Sequence, residues 1–361
     1  GSAAGCLLAL LAPGLVGGEG VLLLCTMGAA AAAVCYAPRG VGLGRWQRVA
    51  ALLLAVGAAF GLGRPPAALQ VRLSPYKGLS YAIQAPGSRI LATHWNAIAR
   101  LDLVASPSLH ALPGLSYRAR MAPPAQWGLY CDGDDLSPVL LEDPASVDDG
   151  SPALAFAEAM PTAGAYALVP GGRVLLLDPL GGLEIWVALA QGVDRVDAAV
   201  SNPLVPRTVG GIYGHPRVTV LDADARSAVR GVYEPYDAVV LPLTDPYRPV
   251  RSGAYSLAEQ YTLTREAFGE YMRALRPGGL LVITRWLQTP PSESLRAYAL
   301  AVAAVEELSG DPHTWIVAYR GYTTMTILIR NGPWEHDGLA TLREFCDRWA
   351  YDLVAMPGMS A

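Results

Sequence analysis

The chain has 361 residues, of which 52% are hydrophobic and only 16% charged, and its net charge is −4. Soluble domains average about 25% charged residues, so this composition excludes a disordered chain, and the mildly acidic balance argues against a nucleic-acid partner. The 38 Gly and 29 Pro show no period, which excludes a collagen-like chain, and at roughly 100–200 residues per domain the length suggests two or three domains.

Residues 1–63 carry only Glu19, Arg39, Arg45 and Arg48 as charges. Three apolar stretches, Ala3–Val16, Gly20–Tyr36 and Trp46–Leu62, read as helices of a truncated transmembrane bundle, since a spanning helix needs about 20 apolar residues. From Val21 to Leu101 there is no acid, but seven Arg and Lys77. A basic collar beside apolar helices suits anionic lipid headgroups, so membrane lipid is an expected partner and a multi-pass membrane protein the expected setting. Arginines flank the third stretch at both ends, so the positive-inside rule leaves orientation open. The start inside an apolar block and the end at Met359-Ser360-Ala361 lead us to expect further helices upstream and a tail downstream. The five Cys and five His fall into no metal-ligand spacing, so no metal site is expected.

Arg64-Pro65-Pro66 breaks the last apolar helix and opens a small β-rich domain over residues 64–168. Short runs at Leu79–Ile83, Arg89–Thr93, Ala97–Val104 and Gly128–Cys131 read as antiparallel strands, with turns at Asp132-Gly133 and Asp149-Gly150. Pro152–Met160 reads as a short helix capped by Ser151.

Residues 169–361 alternate strand and helix. Strands are expected at Val174–Leu177, Val196–Val200, Val218–Leu221, Ala238–Leu241, Leu280–Thr284, Thr314–Ala318 and Thr324–Arg330. Helices are expected at Leu183–Gln191, from the capping pair Ser256/Glu259 through Phe268, Tyr271, Met272 and Leu275, at Glu293–Leu308 and at Leu339–Tyr351. Near-continuous apolar strands alternating with helices imply an α/β fold, a doubly wound sheet covered on both faces. Ligands of such sheets bind beyond the carboxyl ends of the strands, which directs attention to Gly181 and Gly182 after the first strand, Ser201 after the second, Asp224-Ala225 after the third and Thr244-Asp245-Pro246 after the fourth.

The run LRPGGLLVI (Leu275–Ile283) resembles the helix-stop-strand signature of class I S-adenosylmethionine-dependent methyltransferases, a Rossmann-like fold. YDAVVLPLTDP (Tyr236–Pro246), followed by SGAYSLAEQYTLTREAFGEYMRALRPGGLLVITRW (Ser252–Trp286), resembles spermidine synthases, in particular bacterial proteins with a fused membrane region. SPYKGLSYAI (Ser74–Ile83) and GLYCDGD (Gly128–Asp134) are similar to that family's β domain. The resemblance implies aminopropyl transfer from decarboxylated S-adenosylmethionine to a polyamine, with the large domain on the cytoplasmic side and a homodimer as a candidate assembly.

Carried over residue by residue, the resemblance implies cofactor contacts at Gly181, Gly182, Ser201, Asp224 and Ala225, and substrate contacts at Glu158 and Asp245. Asp245 matches the second Asp of the family's D-S-x-D-P motif and is the catalytic candidate. Several positions depart from the pattern. Pro242 stands where the first catalytic Asp is expected. Asp178 stands where the glycine turn should begin. Ser201 replaces the acid that grips the ribose, and FAE (Phe156–Glu158) keeps only the Glu of a Tyr-His-Glu segment. The active site therefore reads as degenerate. Two alternatives stand beside aminopropyl transfer: an S-adenosylmethionine-dependent methyltransferase, and a catalytically silent membrane scaffold or binding protein.

Overall fold

The computed structural model describes residues 2–36, 42–63, 66–244, 261–288 and 293–359. It begins with a helical hairpin. The first two apolar stretches join in one helix, α1 (Ser2–Tyr36), bent at Gly17, whose φ of 71° is non-helical, one turn after Pro13. α2 (Gly42–Gly63) returns alongside it, with Gly20 packed beside Leu62 and Gly61 beside Leu23. Leu7, Leu8, Leu52, Leu53 and Phe60 all face outward. Both helices are long and apolar enough to cross a membrane, with windows of mean hydropathy 2.0 and 1.4. An apolar exterior of this extent is unusual for a protein bathed in water.

α3 (Gly78–Ala82) stands where a strand was expected over Leu79–Ile83. Leu79 is fully buried against Val104 and Tyr130, with Ala82 three residues on packed beside them, so the apolar spacing serves a helical face rather than an alternating strand. A four-stranded antiparallel meander follows: β1 (Arg89–Trp95), β2 (Arg100–Ala105), β3 (Gln126–Cys131) and β4 (Asp134–Leu140). Asp132 and Gly133 both take positive φ (51° and 74°), as a tight two-residue hairpin turn requires. Trp95 ties this sheet to the hairpin: a Cβ at Gly18 would lie 2.8 Å from its ring, and the Val71 N–H donates to Glu19 Oε1 at 3.2 Å.

Residues Pro152–Ala159 form a 3-10 helix with the Ser151 side chain accepting from the Ala153 N–H. The short α4 (Ala163–Tyr166) leads into the large sheet. Its elements are β5 (Arg173–Leu177), α5 (Leu183–Ala190), β6 (Arg195–Ala199), α6 (Leu204–Val209), β7 (Val218–Leu221), α7 (Ala225–Arg230) and β8 (Tyr236–Leu241). After them come α8 (Arg265–Arg273), β9 (Leu275–Trp286), α9 (Glu293–Glu307), α10 (Pro312–Trp315), β10 (Ile316–Arg320), β11 (Thr324–Arg330), α11 (His336–Trp349) and β12 (Asp352–Ala355). The expected capping pair Ser256/Glu259 lies outside the described residues. Within them, α8 is capped by Thr264, whose side chain accepts from the Ala267 N–H. Leu275, expected to close that helix, instead opens β9. Thr314, expected in a strand, lies in α10, which begins at Pro312 with Asp311 as its cap.

The strand order is β7-β6-β5-β8-β9-β11-β10-β12. β5 to β9 are mutually parallel, and β11 runs antiparallel to β9. The chain winds outward from β5 to β7, then crosses back to lay β8 on the other side of β5. This reversal creates a crevice at the carboxyl ends of β5 and β8, where doubly wound sheets hold ligands. This is the order of a class I methyltransferase-like sheet.

At the opposite end, β5, β6 and β8 are clamped by one buried carboxylate. Asp197 is 1% exposed. Its Oδ2 accepts from Arg173 Nε at 3.0 Å and from the Tyr236 hydroxyl at 2.9 Å, while the Arg173 guanidinium lies 4.4 Å from the Tyr236 ring centre. Removing one partner strands the others in a poorly hydrated place. Asp197→Ala is expected to destabilise the fold by about 3 kcal/mol, and Tyr236→Phe by about 1 kcal/mol. Urea unfolding of the detergent-solubilised chain measures both, and equal stabilities would contradict the clamp.

Candidate active site

Two contacts bring the small sheet over the ends of the large one. The Gly181 N–H donates to Ser137 Oγ at 2.9 Å, and a Cβ on Gly181 would fall 2.3 Å from the Pro138 carbonyl oxygen. Asn96, in the turn between β1 and β2, donates to Asn202 Oδ1 at 2.7 Å, just after β6. Gly181 is therefore explained by its packing against β4. Gly182 caps α5 at a φ of 84°, where a Cβ would meet Ile212 at 2.7 Å.

The loop after β5 is strained. Asp178 and Leu180 take positive φ (50° and 42°), which costs on the order of 1 kcal/mol per residue. What holds it is an exchange of partners with the loop after β6. Asp178 Oδ1 accepts from the Ser201 N–H and Oδ2 from the Ser201 hydroxyl, each at 2.7 Å. A carboxylate thus stands between the ends of β5 and β6 although Ser201 itself is not an acid. The two departures read separately in the sequence, Asp178 for glycine and Ser201 for an acid, are one paired feature in space.

One strand further, Asp224 caps α7. It accepts from the Arg226 and Ser227 N–H groups at 3.0 Å and from the Ser227 hydroxyl at 2.6 Å. The Ser227 hydrogen bonds hold its carboxyl below the usual carboxylate range. Ala225 is buried behind it. Glu158 is a surface residue whose carboxylate pairs with Arg348 at 3.3 Å, so the structure does not bring it to the crevice. Asp245 lies outside the described residues. Among the described residues no cluster of three metal-ligating side chains occurs.

Where β5 and β8 part, a cavity of about 30 Å³ lies among Ser137, Pro138, Thr162, Glu184, Pro242 and Thr244. Glu184 is the residue that sequence reasoning missed. It sits in the first turn of α5 and is 7% exposed. The Tyr166 hydroxyl donates to its Oε1 at 2.6 Å. Burial pushes its carboxyl above the usual range, against the pull of the Tyr166 and Thr162 hydroxyls. The available signal was composition: LEIWVALA is apolar on every face but for this one acid, and a helix hydrophobic all round is a buried helix.

No family model matches the chain. A 79-residue stretch is 35% identical to a polyamine aminopropyltransferase of Korarchaeum cryptofilum, covering 22% of each chain. The match therefore spans about a fifth of that relative's length. Among solved structures, a spermidine synthase in complex with the transition-state analogue AdoDATO aligns over 71% of this chain and 78% of its own at 13% identity and a TM-score of 0.44. The spermidine synthase of Thermotoga maritima aligns over the same shares at 14% identity and 0.44. An N-methyltransferase of Bradyrhizobium japonicum aligns over 47% of this chain and 90% of its own at 15% and 0.33. The strand order defines the class, an α/β protein with a methyltransferase-like sheet. Within that class, the sequence likeness found is the 79-residue stretch similar to a polyamine aminopropyltransferase.

Two outcomes follow. Gly181→Ala should destabilise the chain by about 1–3 kcal/mol, because a carbonyl oxygen occupies the space its methyl needs; an unchanged thermal midpoint would contradict the close approach. Glu184 has a raised carboxyl pKa in the fold, so its contribution is fully present below the unfolded value near 4.3 and is lost as pH rises through the folded one. The midpoint of the wild-type chain should therefore fall relative to Glu184→Gln as the pH rises above the unfolded value. Parallel pH profiles would contradict the burial.

Proposed function

We propose that the chain is a membrane-associated, spermidine-synthase-like protein that transfers an aminopropyl group to a polyamine amine from a reduced active site. The observation that carries this reading is the Asp178–Ser201 pair, which keeps a carboxylate between the carboxyl ends of β5 and β6, one strand from the switch point. A ribose offers two hydroxyl donors, and a carboxylate is acceptor-only with about four lone-pair sites. Asp178 would take the ribose in place of the acid missing at Ser201, and the loop at Asp224-Ala225 would lie toward the base. Decarboxylated S-adenosylmethionine would supply an aminopropyl group whose first carbon is bonded to a sulfonium sulfur, with methylthioadenosine as the leaving group.

The rest falls to side chains of this protein. They must hold a polycation and free one amine of its proton. Asp245 is the sequence candidate for the first task. Pro242 can do neither, since its side chain has no acceptor, and the site is degenerate in that sense. The helical hairpin would anchor the chain in the bilayer. Its α2, 22 residues long, spans about 33 Å as a helix, close to the hydrocarbon thickness of about 30 Å. Because the metabolites concerned are made in the cytoplasm, the large sheet is expected on that side.

Calorimetric titration of the detergent-solubilised chain tests the reading. Decarboxylated S-adenosylmethionine and methylthioadenosine should bind, and Asp178→Asn should weaken both by on the order of tenfold or more, a loss of about 1.4 kcal/mol. Binding of S-adenosylmethionine alone would favour methyl transfer. Absence of binding by all three would leave the silent scaffold.

A further inference from the structure

We infer that the cavity beneath Pro242 is the seat of the acceptor's primary amine and that the Glu184 carboxylate receives it. The inference rests on the aminopropyl-transfer reading for the identity of the amine, but its geometry stands apart from that reading. Glu184 and Pro242 line the same cavity. A carboxylate reaches, from α5, the cavity to which the loop after β8 brings Pro242, Leu243 and Thr244 but no acid.

The carboxylate is not explained by the fold. Among the described residues it forms no ion pair; the Tyr166 hydroxyl donates to it, and Thr162 lines the same cavity. Thr162 is 2% exposed, and its own hydroxyl makes no well-formed hydrogen bond. A buried carboxylate without a cation is costly. A buried acid in a cleft with its proton held unusually tightly marks a functional site more often than a structural one.

The size of the cavity selects the ligand. About 30 Å³ admits a water or two. An –NH₃⁺ head is of that size, whereas a trimethylammonium head is not, and an alkyl chain must lie outside. The ammonium would donate to the Glu184 carboxylate. Proton transfer then breaks an N–H bond, forms an O–H bond on Glu184 and leaves the electron pair on nitrogen. Both product groups are neutral, and burial away from water favours them over the ion pair. The neutral amine is the form that can attack a sulfonium-bound carbon.

The test is calorimetry of the full chain in detergent with putrescine, without any adenosyl compound, and with methylthioadenosine in parallel. Wild type should bind putrescine. Glu184→Gln keeps an acceptor for Tyr166 and should weaken putrescine binding at least tenfold while leaving methylthioadenosine binding unchanged. Glu184→Asp keeps the charge and should retain part of the affinity. Putrescine bearing a trimethylated nitrogen at both ends should not bind. Equal putrescine affinity in wild type and Glu184→Gln would overturn the inference, as would Glu184→Asp binding no better than Glu184→Gln, or binding of the trimethylated compound. If putrescine binds through Glu184 but methylthioadenosine does not bind the wild type, the amine seat stands and the aminopropyl-transfer reading fails.

Discussion

The approach of β4 to the loop after β5 is the constraint on which the crevice depends. Gly181 has no side chain, and the Pro138 carbonyl fills the space that one would need. Through this contact the small sheet lies over the carboxyl ends of β5 and β8. Ser137 and Pro138 then form one wall of a cavity whose other walls come from α5 and the loop after β8. Beneath that cover lies Glu184, in the first turn of α5. There the carboxylate is buried and its proton affinity rises.

The low charge content of the chain takes on a specific meaning at this crevice. Two positions where acids were expected, Ser201 and Pro242, have carboxylates beside them from neighbouring elements. Ser201 is not an acid, yet Asp178 sets a carboxylate against it. Pro242 is not an acid, yet Glu184 faces the same cavity. In a sheet buried on both faces, carboxylates are tolerated at strand ends, where hydroxyls and loop N–H groups can meet them. Asp197, at the other end of the strands, shows the alternative: there the carboxylate Oδ2 is met by the Arg173 guanidinium and the Tyr236 hydroxyl and serves the fold.

Much of the large sheet was legible because its strands are short apolar runs that need no partner to be recognised. Val174–Leu177, Val218–Leu221 and Thr324–Arg330 fall within or on the observed strands. The small sheet was harder. β4 begins Asp134-Asp135 and contains Pro138, which hide its pattern, and the run at Leu79 is helical because its apolar side chains are spaced to meet Val104 and Tyr130 on one side. At the site, sequence reading named Asp178 and Ser201 but could not show that they are partners, since they stand on different strands. Glu184 escaped notice because its burial depends on Tyr166, which the fold brings in from α4.

The central claim is that the carboxylates at this crevice still suffice for aminopropyl transfer. The most direct measurement incubates the detergent-solubilised chain with decarboxylated S-adenosylmethionine and putrescine and follows the products by mass spectrometry. Aminopropylated putrescine and methylthioadenosine should appear slowly, in equal amounts, and only with the protein present. A folded chain that yields neither above the protein-free blank would contradict the claim.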